Sequence, residues 1–274
     1  VDLSELWDFD QPAVSEERFR AALATADGED ALVLHTQLAR ALALQRRFAE
    51  SAAELDQVTP DTPLVRTYLG LERGRLLNSS GHAEEAKPHF LAALEEADNA
   101  GLDHLAADAA HMMAIVEPGE AQIPWAQRAL AIAEASDDPR ARRWVGSVTH
   151  NLGWTMHDLG RYEDALAYFE RALAFREQQG DPELIRIGRW TVARGLRSLG
   201  RYDEALAIQE ELAATGSEDG YVSEELGELL LVLDRPDEAA PRFRQAYELL
   251  AKDTWLVDAE PDRLRRLAEL GGVR

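Results

Sequence analysis

The 274-residue chain contains no cysteine. That excludes disulfide scaffolding, thiolate nucleophiles and cysteine-ligated zinc, and it agrees with a cytoplasmic setting. Lysine is almost absent as well. Lys87 and Lys252 are the only two, so positive charge rests on arginine; together with abundant alanine this points to the codon bias of a GC-rich bacterial genome. Basic residues are outnumbered 51 to 29, for a formal charge of −22, which disfavours nonspecific partnership with nucleic acid or anionic membranes. No apolar run approaches the ~18 residues of a membrane span. The start, VDLSELWDFDQPAV, has no basic region followed by an apolar core, so the chain reads as untargeted. Nucleophile motifs, glycine-rich phosphate loops and metal-ligand spacings are missing too, so neither an enzyme nor a cofactor is expected.

What is present is repetition. Residues 1–13 read as an arm whose Trp7 and Phe9 dock on the first helices, followed by a helix with Phe19, Ala22 and Leu23 on one face. Helix pairs then recur. Turns fall at residues 46, 81, 117, 160, 200 and 234, separated by 35, 36, 43, 40 and 34 residues. Beyond Ala251 the pattern breaks, and Pro261-Asp262 opens a last helix through Leu264, Leu267 and Leu270 that stops at Gly271-Gly272. Its Arg263, Arg265 and Arg266 read as a solvated face. The expected organisation is one domain over 1–274: an arm and capping helix at 1–29, about six repeats over 30–251, and a C-terminal capping helix at 252–274.

The cleanest unit is Ser147–Gly180, with Leu152-Gly153, Gly160-Arg161-Tyr162, Ala165, Phe169 and Ala172-Leu173. It resembles a tetratricopeptide repeat, whose period is ~34 residues. The longer spacings resemble the extended variant of kinesin light chains and bacterial peptide-sensing regulators. Small residues recur in the first helices (Ala39, Gly74, Ala110, Gly153, Ala193, Gly227) and in the second (Ala86, Ala165, Ala205, Ala239), where two helices must approach closely. Phe90, Phe169 and Phe243 fill the space between units.

The resemblance implies an all-α, right-handed superhelical solenoid of antiparallel helix pairs with an inner groove lined by the first helices. In that register the groove positions are Arg40; Tyr68 and Arg75; His104 and His111; His150, Trp154 and His157; Trp190, Arg194 and Arg197; and Tyr221, Glu224 and Glu228. Arginine and aromatic side chains are frequent binding anchors, so the expected partner is a protein or peptide segment, acidic or aromatic, centred on Trp154, Trp190, Arg194 and Arg197. The function implied is a non-catalytic interaction scaffold. Two alternatives stand beside it: a ligand- or peptide-responsive regulator, and a structural homo-oligomer assembled through end helices.

Two narrower ideas fail on spacing or residue type. His104/His111 and His150/His157 are seven residues apart, about 10.5 Å along a helix, too far for either pair to share one metal; His111 with His150 across two helices is the remaining metal reading. The carboxylate clamp of chaperone-tail binders needs lysine, asparagine and arginine at inner positions. Thr36, Arg40, Glu72, His104 and Asp108 do not make it, and Asn151 alone matches later. Groove histidines would tighten a carboxylate ligand below pH ~6.5.

Overall fold

Helix starts are written where a short acceptor side chain precedes or adjoins proline. Thr62, Asp138 and Asp181 each accept a backbone N–H of the following turn ahead of Pro63, Pro139 and Pro182, and Asp219 and Asp253 cap without proline. The computed structural model describes residues 2–216 and 218–273, and every regular element among them is helical. In chain order they are α1 (Pro12–Leu23), α2 (Gly28–Leu44), α3 (Phe48–Leu55), α4 (Pro63–Ser79), α5 (Ala83–Ala100), α6 (Asp103–Val116), α7 (Gln122–Ala135), α8 (Pro139–Arg142), α9 (Trp144–Asp158), α10 (Tyr162–Gln179), α11 (Pro182–Ser198), α12 (Tyr202–Ala214), α13 (Gly220–Val232), α14 (Pro236–Leu250), α15 (Thr254–Ala259) and α16 (Pro261–Leu270). A single 3₁₀ turn, Gly119–Ala121, leads into α7.

The six helix pairs expected from the turns are present: α2/α3, α4/α5, α6/α7, α9/α10, α11/α12 and α13/α14. The turns reverse through residues with positive φ, glycine at Gly81, Gly160 and Gly200, but Arg46 (φ 60°) and Asp234 (φ 58°) at the outer two. The short α8 between the third and fourth pairs absorbs part of the longest spacing.

The chain divides into two compact units, Val1–Asn151 and Leu152–Arg274. In the first, each helix from α1 to α7 packs on its successor, and α2 also lies against α4. In the second, α10 to α14 pack in succession and α16 closes on α14.

Close approach is paired with an aromatic. A Cβ on Gly74 would stand 2.4 Å from Phe90, one on Gly153 2.4 Å from Phe169, and one on Gly227 2.8 Å from Phe243. Each ring is buried against the backbone of its own first helix; Phe169 also meets Gly195 of the next first helix, where a Cβ would be 3.2 Å away. At the matching place in the fifth pair the chain carries Gln209, fully buried, with neither side-chain amide atom hydrogen-bonded among the described residues.

The ends are capped. Leu3, Leu6 and Trp7 pack on the core of Phe19, Leu34 and Leu38, and buried Ser15 holds the arm by accepting from the Asp8 N–H at 2.7 Å and donating to its carbonyl at 2.9 Å. At the other end Leu256, Leu264 and Leu267 are buried, while Trp255 is 63% exposed. No helix among the described residues is long and apolar enough to cross a membrane.

Candidate functional site

The first helices project every candidate side chain to the surface without burying any of them. Tyr221 is 37% exposed and the others are partly exposed. The two units use these positions differently, and each is described alone.

In the first unit the face is a chain of charges running from α2 to α6. Arg40 lies 3.9 Å from Glu72 on α4. Arg75, one turn on, holds Glu72 at 2.5 Å and reaches Asp108 of α6 at 2.5 Å. Both carboxylates are nearly withdrawn from water, Glu72 2% and Asp108 7% exposed, so the guanidinium between them neutralises charge that would otherwise be stranded. The arm lies over the start of this face. Trp7 and Phe9 stack at 4.5 Å, the Arg40 guanidinium sits 5.3 and 5.2 Å from their centroids, and the Trp7 indole donates to Gln37 at 3.1 Å. Tyr68 is buried enough that its phenol is pushed up to about 12.

The histidines of this unit are less titratable than the sequence suggested. Burial, helped by Arg140, lowers the His104 pKa although Asp138 lies 3.5 Å away. Burial likewise lowers that of His111, whose ring packs 5.2 Å from Trp144. His150 lies on α9, partly exposed. No three His, Asp or Glu side chains converge as a metal site among the described residues.

The second unit carries an aromatic row. From His157 the ring centroids run to Trp154 at 5.3 Å, to Trp190 at 6.1 Å, to Tyr221 at 6.1 Å and on to the Arg263 guanidinium at 5.4 Å, one step for each successive helix α9, α11, α13 and α16. Trp154 also packs edge-on to Phe169 at 5.2 Å, which ties the row to the core. The Trp190 indole N–H is buried without an acceptor among the described residues.

Charge on this face is internally matched. Arg197 forks onto Glu225 at 2.7 and 2.9 Å, and Arg194 reaches the same carboxylate at 3.2 Å. Arg194 also donates to Ser198 Oγ at 2.7 Å, which lies 2.9 Å from His157 Nε2. Burial and then Arg194 lower the His157 pKa. Glu224 is gripped by Arg263 at 2.6 to 3.2 Å, and Glu228 pairs with Arg266. The expectation of a solvated face is therefore corrected for Arg263, which is half-buried against Glu224, while Arg266 stays exposed as it pairs with Glu228 and Arg265 stays exposed beside Asp262.

Ser198 and Glu225 were missed as members of these faces, and Glu72 and Asp108, placed at inner positions, were not read as partners of Arg75. The available signal was opposite charge one repeat apart: Arg75 and Asp108, like Arg186 and Asp219, are separated by 33 residues.

Residues 123–178 match the family model of the tetratricopeptide repeat. That stretch is a tetratricopeptide repeat. Solved tetratricopeptide structures share the fold of the chain. A signal-transduction ATPase with a tetratricopeptide repeat sensor from Pyrococcus horikoshii aligns at TM-score 0.71 and 14% identity over 93% of this chain, which spans 41% of that one. A Rap protein complexed with Competence and Sporulation Factor aligns at TM-score 0.64 and 18% identity, covering 99% of this chain and 82% of its own. NprR in complex with its cognate peptide NprX aligns at TM-score 0.60 and 16% identity, covering 97% and 82%. At such identities the likeness is one of fold. No curated protein matches the chain in sequence.

Proposed function

We propose that this chain is a non-catalytic scaffold that holds an extended peptide or protein segment on the first-helix face of its second unit. The observation that carries this is the continuous row of Trp154, Trp190 and Tyr221, braced by arginines that are themselves fixed by Glu225 and Glu224. Rigid aromatic area costs little side-chain entropy on binding, and held charges do not have to reorganise. Two structures of the same fold, a Rap protein and NprR, contain bound factor or peptide, which supports the reading.

The sequence suggested an acidic or an aromatic partner. Arg194 and Arg197 share the Glu225 carboxylate, which offsets one of their two charges and leaves less for an acidic segment than the aromatic row offers to an aromatic one, so the aromatic alternative is the one retained. The test is capture of partners from the native lysate on wild-type chain and on a Trp190→Ala/Tyr221→Ala variant, followed by calorimetry with the recovered segment. Affinity lost by at least tenfold in the variant is expected. Equal affinity means the segment binds elsewhere.

A second reading, a peptide-responsive regulator, draws support from the likeness to NprR with its peptide. It requires a change in molecular dimensions on binding, measured by small-angle scattering. Unchanged dimensions with saturating segment leave the scaffold reading and remove this one.

A further inference from the structure

Between the N-terminal halves of α11 and α13 lies a pocket of about 290 Å³, lined by Arg186, Ile187, Trp190, Asp219 and Tyr221. Its walls are apolar apart from two charged groups, and those two are spent on each other. Arg186 is ion-paired with Asp219 and with Glu183, while Asp219 also accepts the Tyr221 N–H at 2.8 Å as the cap of α13. Neither has a charge left for a ligand. The Trp190 indole, by contrast, has a donor with no acceptor, and a buried indole N–H without an acceptor is the uncommon case.

We infer that this pocket is a specificity subsite for one bulky uncharged side chain, aromatic or branched aliphatic, of the segment bound along the aromatic row. The inference rests on the peptide-binding reading above. The volume suits one large side chain and is too small for a folded element. A charged side chain entering it would be desolvated beside an ion pair that cannot answer its charge, at a cost that exceeds its packing gain. Trp190 and Tyr221 stand 6.1 Å apart in edge geometry, an arrangement that leaves an aromatic face and an aromatic edge available to a third ring.

The experiment uses the full chain and a phage-displayed library of random twelve-residue peptides, with dissociation constants of synthetic enriched peptides measured by calorimetry. Enriched peptides should share one Phe, Trp, Leu or Ile. Changing that residue to Asp should weaken binding to wild type by at least tenfold, and Ile187→Trp, which fills the pocket, should weaken the unchanged peptide by a similar factor. Because Ile187→Trp could disturb α11, Tyr221→Ala at the exposed rim serves as the second variant, with helical content checked by circular dichroism. Peptides that are insensitive to Ile187→Trp and Tyr221→Ala, yet lose affinity in Trp154→Ala, overturn the subsite and leave the binding face standing. If wild type enriches no peptide, or if enriched peptides bind all three variants as they bind wild type, the subsite and the binding face both fall.

Discussion

The two units share one repeat and spend their first-helix faces in opposite ways. The first invests in buried charge, Arg40, Glu72, Arg75 and Asp108, and lays the arm's Trp7 and Phe9 across its start. The second also gathers charge on one buried carboxylate, Glu225, but keeps Glu224 and Glu228 only half-buried and lines the face with aromatic rings. A buried ion network is costly to assemble and more costly to break, so it specifies geometry. A rigid aromatic row costs the fold little and offers area to a partner. Under the proposed function the contrast gives one face to stability and the other to recognition.

Removing Arg75 tests that assignment most severely. Arg75→Ala leaves Asp108 as an uncompensated buried carboxylate and Glu72 with Arg40 alone at 3.9 Å, and urea denaturation should show a loss of about 3–5 kcal/mol. Arg197→Ala in the second unit should cost less, about 1 kcal/mol, since buried Glu225 keeps Arg194 at 3.2 Å. Equal losses would erase the distinction. The core of the second unit is probed separately. Phe169→Ala empties a fully buried ring site and should cost about 3–5 kcal/mol. Gly153→Ala sets a methyl 2.4 Å from that ring and should cost about 1–3 kcal/mol by overpacking. A loss under about 1 kcal/mol for Phe169→Ala would mean that the repeat register is wrong.

Gln209 is where the second unit departs from its own packing rule. The fifth pair has glutamine where Phe90, Phe169 and Phe243 stand in others, with Ala193 rather than glycine opposite, so a ring would not fit. Its amide is buried without hydrogen bonds among the described residues. Gln209→Met keeps the length and removes the stranded polar atoms, and should raise stability by about 1–3 kcal/mol. A destabilised variant would show that the amide has a partner, an internal water being the simplest.

Acid should separate the units. His104 and His111 of the first and His157 of the second all have pKa values lowered mainly by burial. Below the unfolded histidine pKa of ~6.5 the unfolded chain then binds more protons than the folded one, so stability falls as pH falls through that window. Asp138 and Asp108 oppose the effect at His104, and Asp108 at His111, against Arg140 and Arg75. Hydrogen exchange at pH 7 and pH 5 should show the larger loss of protection in the first unit, and His111→Phe should reduce it. The same shifts weaken the idea that acid tightens a ligand, because these rings stay neutral further into acid.

Much of this was readable before any coordinates. Turn residues and small-residue positions placed all six pairs. Candidate positions also fell on the expected helices and reach the surface. What escaped was lateral. A glutamate on a helix reads as solvated until the neighbouring repeat supplies its arginine, and the offset between adjacent first helices is set by packing, which periodicity does not encode. Glu225 was invisible for that reason, as was the pairing of Arg75 with Glu72 and Asp108 and of Arg194 and Arg197 with Glu225.

The smallest expected effect compares the two turns that lack glycine. Arg46 in the first unit and Asp234 in the second both hold left-handed backbone, φ 60° and 58°, where Gly81, Gly160 and Gly200 serve the other turns. That conformation costs an ordinary L-residue about 1–2 kcal/mol, and glycine escapes the clash while giving up about 0.5–1 kcal/mol in unfolded-state entropy. Arg46→Gly should therefore stabilise by about 0.5–1 kcal/mol in urea. Aspartate tolerates the left-handed region better because its short side chain can bond locally, so Asp234→Gly should gain only a few tenths of that scale. Equal gains at both turns would mean that the clash alone decides. A loss at Arg46 would mean that its side chain contributes to the turn more than its backbone costs.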